Sequence, residues 1–287
     1  MRLSAETYVM RNRFDDKTAL DMLLAAGFDC YDYSMYWMGE NRDMLGEDYL
    51  ERAKALRAYA DSIGLECNQA HAPFDFAYGD TCSLSNENFK RLVRSLKVAS
   101  VLGAENIIVH CIKRFSEPVE LCAYNYDFYR SLLPYCEEYG ICVSVENLFN
   151  TMSAGRFQSI FGDPYEHMRF VEGLDSPFFN ICIDVGHSAI TGFDPENVIA
   201  AMNNRLLKAL HIHDNDYHGD RHMIPFTGDL PWDKIMAALA AIDYKDDLTL
   251  EITTIQKLDN RSLAPALSLA ASCGRRLIEQ FEQHKKQ

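Results

Sequence analysis

Short apolar runs rich in β-branched residues alternate along the chain with amphipathic segments of helical periodicity. The runs predict β-strands over residues 2–6, 28–33, 65–71, 105–111, 141–146, 179–184, 207–213 and 247–252. The amphipathic segments predict helices over residues 16–26, 47–63, 86–102, 118–139, 164–172, 195–204, 231–241 and 263–283. Strict alternation of strands and helices predicts a parallel sheet, and eight strands are the number that closes a (β/α)8 TIM barrel.

The length of the chain fits this architecture. With 287 residues, of which 48% are hydrophobic, it can bury a large core, and no Pro/Gly/Ser-rich linker divides it. We therefore expect one domain over residues 1–287. Neither GxGxxG nor GxxxxGK[ST] occurs, which removes the main sequence argument for an open, nucleotide-binding sheet.

The predicted strands share one alternation of apolar and polar positions. Ile141, Val143 and Val145 suit packing under helices, so the alternate face, which ends on Glu146, is expected to point into the barrel. The same alternation gives three more strands an inward acid or imidazole near the carboxyl end: Asp184, His211 with His213, and Glu251. Barrel enzymes keep their chemistry at this end of the strands, so these side chains are expected to meet.

Three carboxylates and one imidazole form the predicted metal set: Glu146, Asp184, His211 and Glu251. Such an oxygen-rich set suits Mn²⁺, Mg²⁺ or Co²⁺ at an open site, whereas structural zinc prefers a closed site of sulfur and nitrogen. A single acid beyond a strand end is usually a solvated surface residue. Four of them in phase on four strands favour one catalytic divalent ion.

Other polar and aromatic residues near the predicted strand ends are candidates for substrate binding. Each has an ordinary alternative role, as a structural histidine, a solvated loop residue or a packing aromatic. The aromatic residues would suit the C–H faces of a small polyol, and Lys113 is placed to meet a phosphate or carboxylate. The candidates are His71, His110, His187, His213, Asp220, His222, Trp37 and Lys113.

The net charge indicates which partners the protein can bind, and the cysteines and apolar runs indicate where in the cell it is expected. The net charge of −14 opposes binding of phosphate polymers, so no nucleic-acid partner is expected. Nine scattered cysteines without a CxxC pair indicate reduced core residues. No apolar run is long enough to span a bilayer or to form a signal peptide, so we expect a cytoplasmic protein without a membrane partner, and homo-oligomerisation stays open.

At these motifs the chain resembles the xylose isomerase-like TIM barrel superfamily, which includes sugar phosphate isomerases, epimerases and endonuclease IV. The resemblance rests on Val145-Glu146-Asn147, Asp184-Val185-Gly186-His187, residues 211–216, residues 219–229 and Leu250-Glu251. In the sugar-active branch, the matching residues Glu146, Asp184, His211 and Glu251 hold one divalent ion, and His187 contacts substrate. In endonuclease IV, nine ligands hold three zinc ions, and counterparts of all nine occur here: His71, His110, Glu146, Asp184, His187, His211, Asp220, His222 and Glu251.

The resemblance implies a small sugar or sugar derivative as substrate, isomerised or epimerised by proton transfer through a cis-enediolate. Glu146 and Glu251 would be the acid and base, with one ion (Mn, Mg, Co or Zn) stabilising charge. The strong acidity of the chain disfavours a zinc-dependent abasic-site endonuclease. A metal-dependent sugar lyase or dehydratase and a non-catalytic sugar-binding barrel remain alternatives. Relatives commonly have Pro-Pro-Gly-Glu-Gly where this chain has residues 225–229, so substrate contacts there are expected to differ.

Overall fold

The protein is described by a computed structural model that covers residues 1–36, 44–113 and 118–286. Eight parallel strands form its main sheet, in the order β10-β1-β2-β3-β4-β5-β8-β9. They are β1 (Leu3–Glu6), β2 (Cys30–Ser34), β3 (Glu66–His71), β4 (Asn106–Val109), β5 (Cys142–Glu146), β8 (Phe179–Asp184), β9 (Leu207–His211) and β10 (Leu248–Leu250).

Backbone hydrogen bonds join the two ends of this sheet. Ile212 N donates to Thr249 O at 2.9 Å, and Glu251 N donates to Ile212 O at 3.0 Å. These bonds connect β9 to β10 and complete the ring of strands. The predicted (β/α)8 TIM barrel is therefore confirmed.

Helices follow the strands around the outside of the barrel, close to the predicted ranges. Asp163 caps one of them by accepting from Tyr165 N and Glu166 N at 2.9 and 3.0 Å, as expected of an acid before an N-terminal proline. The main helices are α2 (Asp16–Ala26), α3 (Tyr49–Ile63), α4 (Glu87–Leu102), α5 (Pro118–Tyr139), α6 (Pro164–Gly173), α8 (Pro195–Ala201), α9 (Trp232–Ala241) and α10 (Asn260–His284). No described helix has the length and apolar character needed to cross a bilayer.

Several short elements were not predicted. After β5 the chain forms an antiparallel hairpin, β6 (Leu148–Thr151) and β7 (Phe157–Ile160), whose strands pair with each other outside the barrel sheet. Short helices α1 (Tyr8–Arg11) and α7 (Val185–Ile190) follow β1 and β8 directly. His187 lies on α7, and the Asp184 side chain caps that helix by accepting from His187 N at 2.7 Å.

Three predicted strands end two residues earlier than expected: those over 105–111, 207–213 and 247–252 end at Val109, His211 and Leu250. The ladder between β4 and β5 stops at Val109, and the ladder between β8 and β9 stops at His211. His110 and His213 therefore lie just beyond the strands. The alternating phase is borne out, since Val143 and Val145 are fully buried in the main core while Glu146 is directed to the strand-end cavity described below.

Candidate active site at the strand ends

A cavity of about 250 Å³ opens at the carboxyl ends of the barrel strands. Its floor is acidic and rich in imidazole, with Glu146, Glu251 and His187 among the lining residues. Aromatic walls are provided by Tyr36 and Phe74, whose rings stack at a centroid distance of 4.8 Å, and by Phe149. The arrangement offers apolar faces and charged groups within one small space, as sites for small polar ligands do.

The structure brings the four residues of the predicted metal set together. One ligand-capable atom from each of them lies within 4.8 Å of the others, and all four side chains are buried. His211 Nδ1 lies 2.8 Å from Glu146 Oε1 and 3.3 Å from Glu251 Oε2. The members are Glu146 on β5, Asp184 on β8, His211 on β9 and Glu251 just after β10.

Two further groups of ligand-capable side chains flank this set. On one side His110 Nε2 lies 2.8 Å from Glu146 Oε2 and 3.1 Å from His71 Nε2. On the other side Asp220 bridges two imidazoles, with His222 Nε2 at 3.0 Å and His187 Nε2 at 3.7 Å from its carboxylate oxygens. Both groups have the size and composition of metal-binding clusters.

The remaining predicted substrate contacts fall in different places. His213 is fully buried, and its Nε2 lies 3.1 Å from both carboxylate oxygens of Asp184, so it contacts a member of the metal set and does not line the cavity. Lys113 is exposed at the rim, with its ammonium 5.6 Å from the centre of the Phe149 ring. Trp37 lies outside the described residues.

Asn147 holds the ends of β5 and β8 together. Its Nδ2 donates to Asp184 O at 3.0 Å, and its Oδ1 accepts from Asp184 N at 2.8 Å. The carbonyl of Asn147 lies 2.9 Å from His187 Nδ1. This bond favours the imidazole tautomer or charge state that keeps a proton on Nδ1, and it fixes the orientation of the ring.

Asp214 anchors the loop that carries Asp220 and His222. It is fully buried, and its carboxylate accepts from Leu230 N at 3.1 Å and from Trp232 Nε1 at 2.9 Å. Its backbone exchanges two hydrogen bonds with Met223, at 2.8 and 3.0 Å. The base of this loop is therefore fixed by hydrogen bonds between groups that are hidden from solvent.

Sequence reasoning missed Glu6 and Asp32 near the site, and it considered Tyr36 only as an aromatic loop residue that could pack against a small polyol. Tyr36 OH donates to Glu251 Oε1 at 2.6 Å, Glu6 is buried at the end of β1, and Asp32 on β2 accepts from Gln69 Nε2 at 2.8 Å. Burial and the nearby charge of Glu251 raise the pKa of Glu6 to about 8. The same strand phase that identified Glu146 could have found Glu6, because Ser4 and Glu6 occupy the polar face of β1.

The buried ionisable side chains of the site shift one another's pKa values. Burial opposes ionisation of Glu146, but His211 and His110 outweigh it and hold the pKa of Glu146 well below its usual range. Burial alone would lower the pKa of His187, yet Asp184 and Asp220 raise it to about 9. Protons on imidazole thus balance the buried carboxylates in the absence of another cation.

The residues fit a divalent ion. Among the described residues that line the cavity, Lys113 is the only lysine or arginine, and it sits at the exposed rim. The buried carboxylates Glu146, Asp184 and Glu251 therefore lack a permanent positive charge within the described site. A cation bound by carboxylate oxygens and one imidazole would supply it, and this donor chemistry suits Mn²⁺, Mg²⁺, Co²⁺ or Zn²⁺.

We expect the metal-free protein, prepared with a chelator, to lose stability as the pH rises from 7 to 9. The pKa values of His187 and His222 are about 9 and 10 in the folded state, against about 6.5 in an unfolded chain. Their stabilising contribution is complete below pH about 6.5 and disappears as the pH rises through the folded values. The melting temperature should fall by several degrees, with a shallower slope in His222→Gln, and a flat profile would contradict this assignment.

Gly186 permits the close approach of α7 to His213. A Cβ at this position would lie 2.0 Å from His213 Cε1, so Gly186→Ala is expected to destabilise the protein by about 1–3 kcal/mol through overpacking. Denaturant unfolding measures the change. In a His213→Ala background the same substitution should cost little, because the clashing ring is gone. An equal cost in both backgrounds would show that the clash is not the cause.

Comparisons of sequence and structure identify proteins that are similar to this chain. Protein y4fM of Sinorhizobium fredii (strain NBRC 101917 / NGR234) is 25% identical over 262 residues, which cover 81% of this chain and 79% of that protein. D-psicose 3-epimerase, solved in the presence of D-fructose, superposes with a TM-score of 0.74 at 15% identity, over 97% of this chain and 99% of that chain. The IOLI protein, solved with a binding zinc atom, superposes with a TM-score of 0.72 at 13% identity, over 99% of both chains.

At these identities the superpositions establish a shared fold. The family evidence comes from a model described as xylose isomerase-like TIM barrel, which matches residues 20–272. That range includes the second to the eighth barrel strands and all four residues of the candidate metal set. The chain therefore belongs to the xylose isomerase-like TIM barrel family.

Proposed function

We propose that this protein is a metal-dependent isomerase or epimerase of a small sugar or sugar derivative, acting by proton transfer through a cis-enediolate. The observation that carries the proposal is the convergence of Glu146, Asp184, His211 and Glu251 beside a small cavity with aromatic walls. The fold shared with D-psicose 3-epimerase and with the zinc-containing IOLI structure supports it.

Glu146, Asp184, His211 and Glu251 would hold the ion. A divalent ion there supplies positive charge that polarises a substrate carbonyl and stabilises negative charge on its oxygen. His213 would orient the Asp184 carboxylate through its Nε2, and Asn147 would fix the backbone of the same residue. Such outer contacts hold ligands in the geometry that binding requires.

Glu146 and Glu251 would transfer the protons. Both have pKa values lowered by neighbouring histidines against the effect of burial, so each carboxylate is ionised at neutral pH and able to take a proton from carbon. In epimerisation, one glutamate would take the proton from carbon, and the other, after taking up a proton from solvent, would return it to the opposite face of the sugar. Release of the first proton to solvent would then leave both carboxylates as they began. Tyr36 OH orients Glu251 by donating to its Oε1.

His187 would donate a hydrogen bond to a substrate oxygen. Its Nδ1 faces the carbonyl of Asn147, which leaves Nε2 directed towards Asp220 and the cavity. The pKa of about 9 keeps the ring protonated at neutral pH in the metal-free site. A protonated imidazole is suited to stabilising the negative oxygen of an enediolate.

The direct test is hydrogen exchange in D₂O. Protein loaded with Mn²⁺, Mg²⁺, Co²⁺ or Zn²⁺ is incubated with D-fructose, D-psicose or D-tagatose, and NMR follows the C–H next to the carbonyl. Deuterium should appear at that carbon together with a second sugar. A product that has lost a hydroxyl would instead identify a lyase or dehydratase. Absence of exchange with every metal and sugar would count against the proposal and favour a sugar-binding barrel.

A second candidate is a zinc-dependent abasic-site endonuclease. The observation that favours it is the presence of three adjacent ligand groups, because His71 with His110, and His187 with Asp220 and His222, flank the central set. The net charge of −14 opposes it, since duplex binding relies on cationic contacts with phosphates. Three zinc ions per chain together with cleavage of an abasic oligonucleotide would establish the nuclease, and one ion without cleavage would dismiss it.

A further inference from the structure

A second cavity of about 570 Å³ adjoins the candidate active site. It lies between the segment after β3, helix α4, the end of β4 and helix α5. Phe74, His110 and Lys113 line both this cavity and the site cavity of about 250 Å³. These three side chains therefore form the boundary that the two cavities share.

The walls of the second cavity are mainly hydrocarbon. Phe76 and Phe128 stack against each other at a centroid distance of 5.0 Å, and Leu92 and Val109 complete the buried part of the wall. Among the described lining residues, the nitrogen- and oxygen-bearing side chains are His110, Lys113 and Tyr78, and the first two stand at the boundary with the site. Sugar hydroxyls placed against the hydrocarbon part would lose hydrogen bonds to water without replacement.

The volumes of the two cavities also indicate that they suit different parts of a ligand. Sites for drug-sized ligands are roughly 300–1,000 Å³, so the site cavity alone suits a small sugar, while the second cavity offers room for an additional group. That group must be apolar to gain free energy from burial there.

We propose that the substrate is a sugar that carries an aromatic or alkyl substituent, and that the cavity formed around Phe74, Phe76, Leu92 and Phe128 binds this substituent. The inference rests on the proposed function for the position of the sugar carbonyl. The substituent is attached to a carbon away from the reacting carbonyl, so that the carbonyl and its neighbouring C–H remain at Glu146 and Glu251. Lys113 lines both cavities.

The test compares the binding of matched ligands by calorimetry. The probes are the 6-O-benzyl ethers of D-fructose, D-psicose and D-tagatose, each measured against its parent sugar with Mn²⁺-loaded protein. At least one ether should bind about tenfold more tightly than its parent, because the benzyl ring leaves water for an apolar cavity. Equal affinity for every ether and parent, or no binding of any ether, would overturn the inference.

A cavity-filling variant tests whether the gain in affinity of the benzyl ether arises in the second cavity. Ala77 is exposed and lines the second cavity, so Ala77→Trp should remove the advantage of the benzyl ether without disturbing the core. Ala264→Trp, at an exposed alanine on α10, is the matched control and should keep the advantage. An advantage that survives in Ala77→Trp would place the ring elsewhere and refute the assignment.

The calorimetric result is independent of turnover. A tenfold preference for an ether, lost in Ala77→Trp, would support the second cavity even if no sugar exchanged deuterium, and the proposed chemistry alone would then fail. Deuterium exchange of parent sugars without any preference for the ethers would have the opposite meaning. The chemistry would stand and the inferred substituent would be wrong.

Discussion

Glu146→Gln is expected to reduce deuterium exchange from D₂O into the sugar by about 10²–10⁴-fold, the usual contribution of a general acid or base. The amide has nearly the shape of the carboxylate but cannot take a proton from carbon at neutral pH. It also lacks the charge that holds His110 and His211 at 2.8 Å. NMR of the sugar after incubation with the variant measures the loss.

The comparison that makes this result specific uses two other glutamates. Glu251→Gln should show a similar loss, whereas Glu87→Gln, at an exposed position in the first turn of α4, should exchange at the wild-type rate. Far-ultraviolet circular dichroism establishes that each variant is folded. Exchange by folded Glu146→Gln at the rate of the unchanged protein would exclude Glu146 as a proton-transfer group.

Asp184→Asn is expected to weaken Mn²⁺ binding by more than the roughly 10–100-fold that is typical for loss of an outer contact to a metal ligand. The substitution removes one negative charge from the four-residue set while keeping an oxygen that can accept from His187 N and cap α7. Competition with a chromophoric chelator measures the affinity without any need for a substrate.

Asp163→Asn provides the matched control for this second prediction. Asp163 is also an acid that caps a helix, since it accepts from Tyr165 N and Glu166 N, but it does not belong to the candidate metal set. Its substitution should therefore leave Mn²⁺ affinity unchanged. If both variants bound Mn²⁺ as the unchanged protein does, Asp184 would not be a ligand.

The sequence alone was sufficient for the barrel and for the central cluster because both depend on short-range periodicity. Alternation within a strand determines which face a side chain occupies, and parallel strands bring their carboxyl ends to one side of the barrel. These two rules are enough to predict that Glu146, Asp184, His211 and Glu251 meet. They do not determine the roles of those residues, which remain proposals.

What the sequence could not reveal depends on contacts between distant segments or on local hydrogen bonds. Tyr36 and Glu251 are 215 positions apart, and no periodic pattern indicates that their side chains touch. The hairpin formed by β6 and β7 pairs outside the main sheet, so the alternation of strands and helices gives no sign of it. Helix α7 depends on the Asp184 cap, and that residue was interpreted only as a ligand.

The anchoring of Asp214 has a practical consequence for redesigning specificity. The two backbone hydrogen bonds of Asp214 with Met223 and its side-chain bonds to Leu230 and Trp232 fix the base of the loop. Residues 216–219 can thus be exchanged or lengthened by loop grafting while Asp214 keeps the scaffold in register. Libraries for directed evolution of this loop should vary its tip and leave Asp214 unchanged.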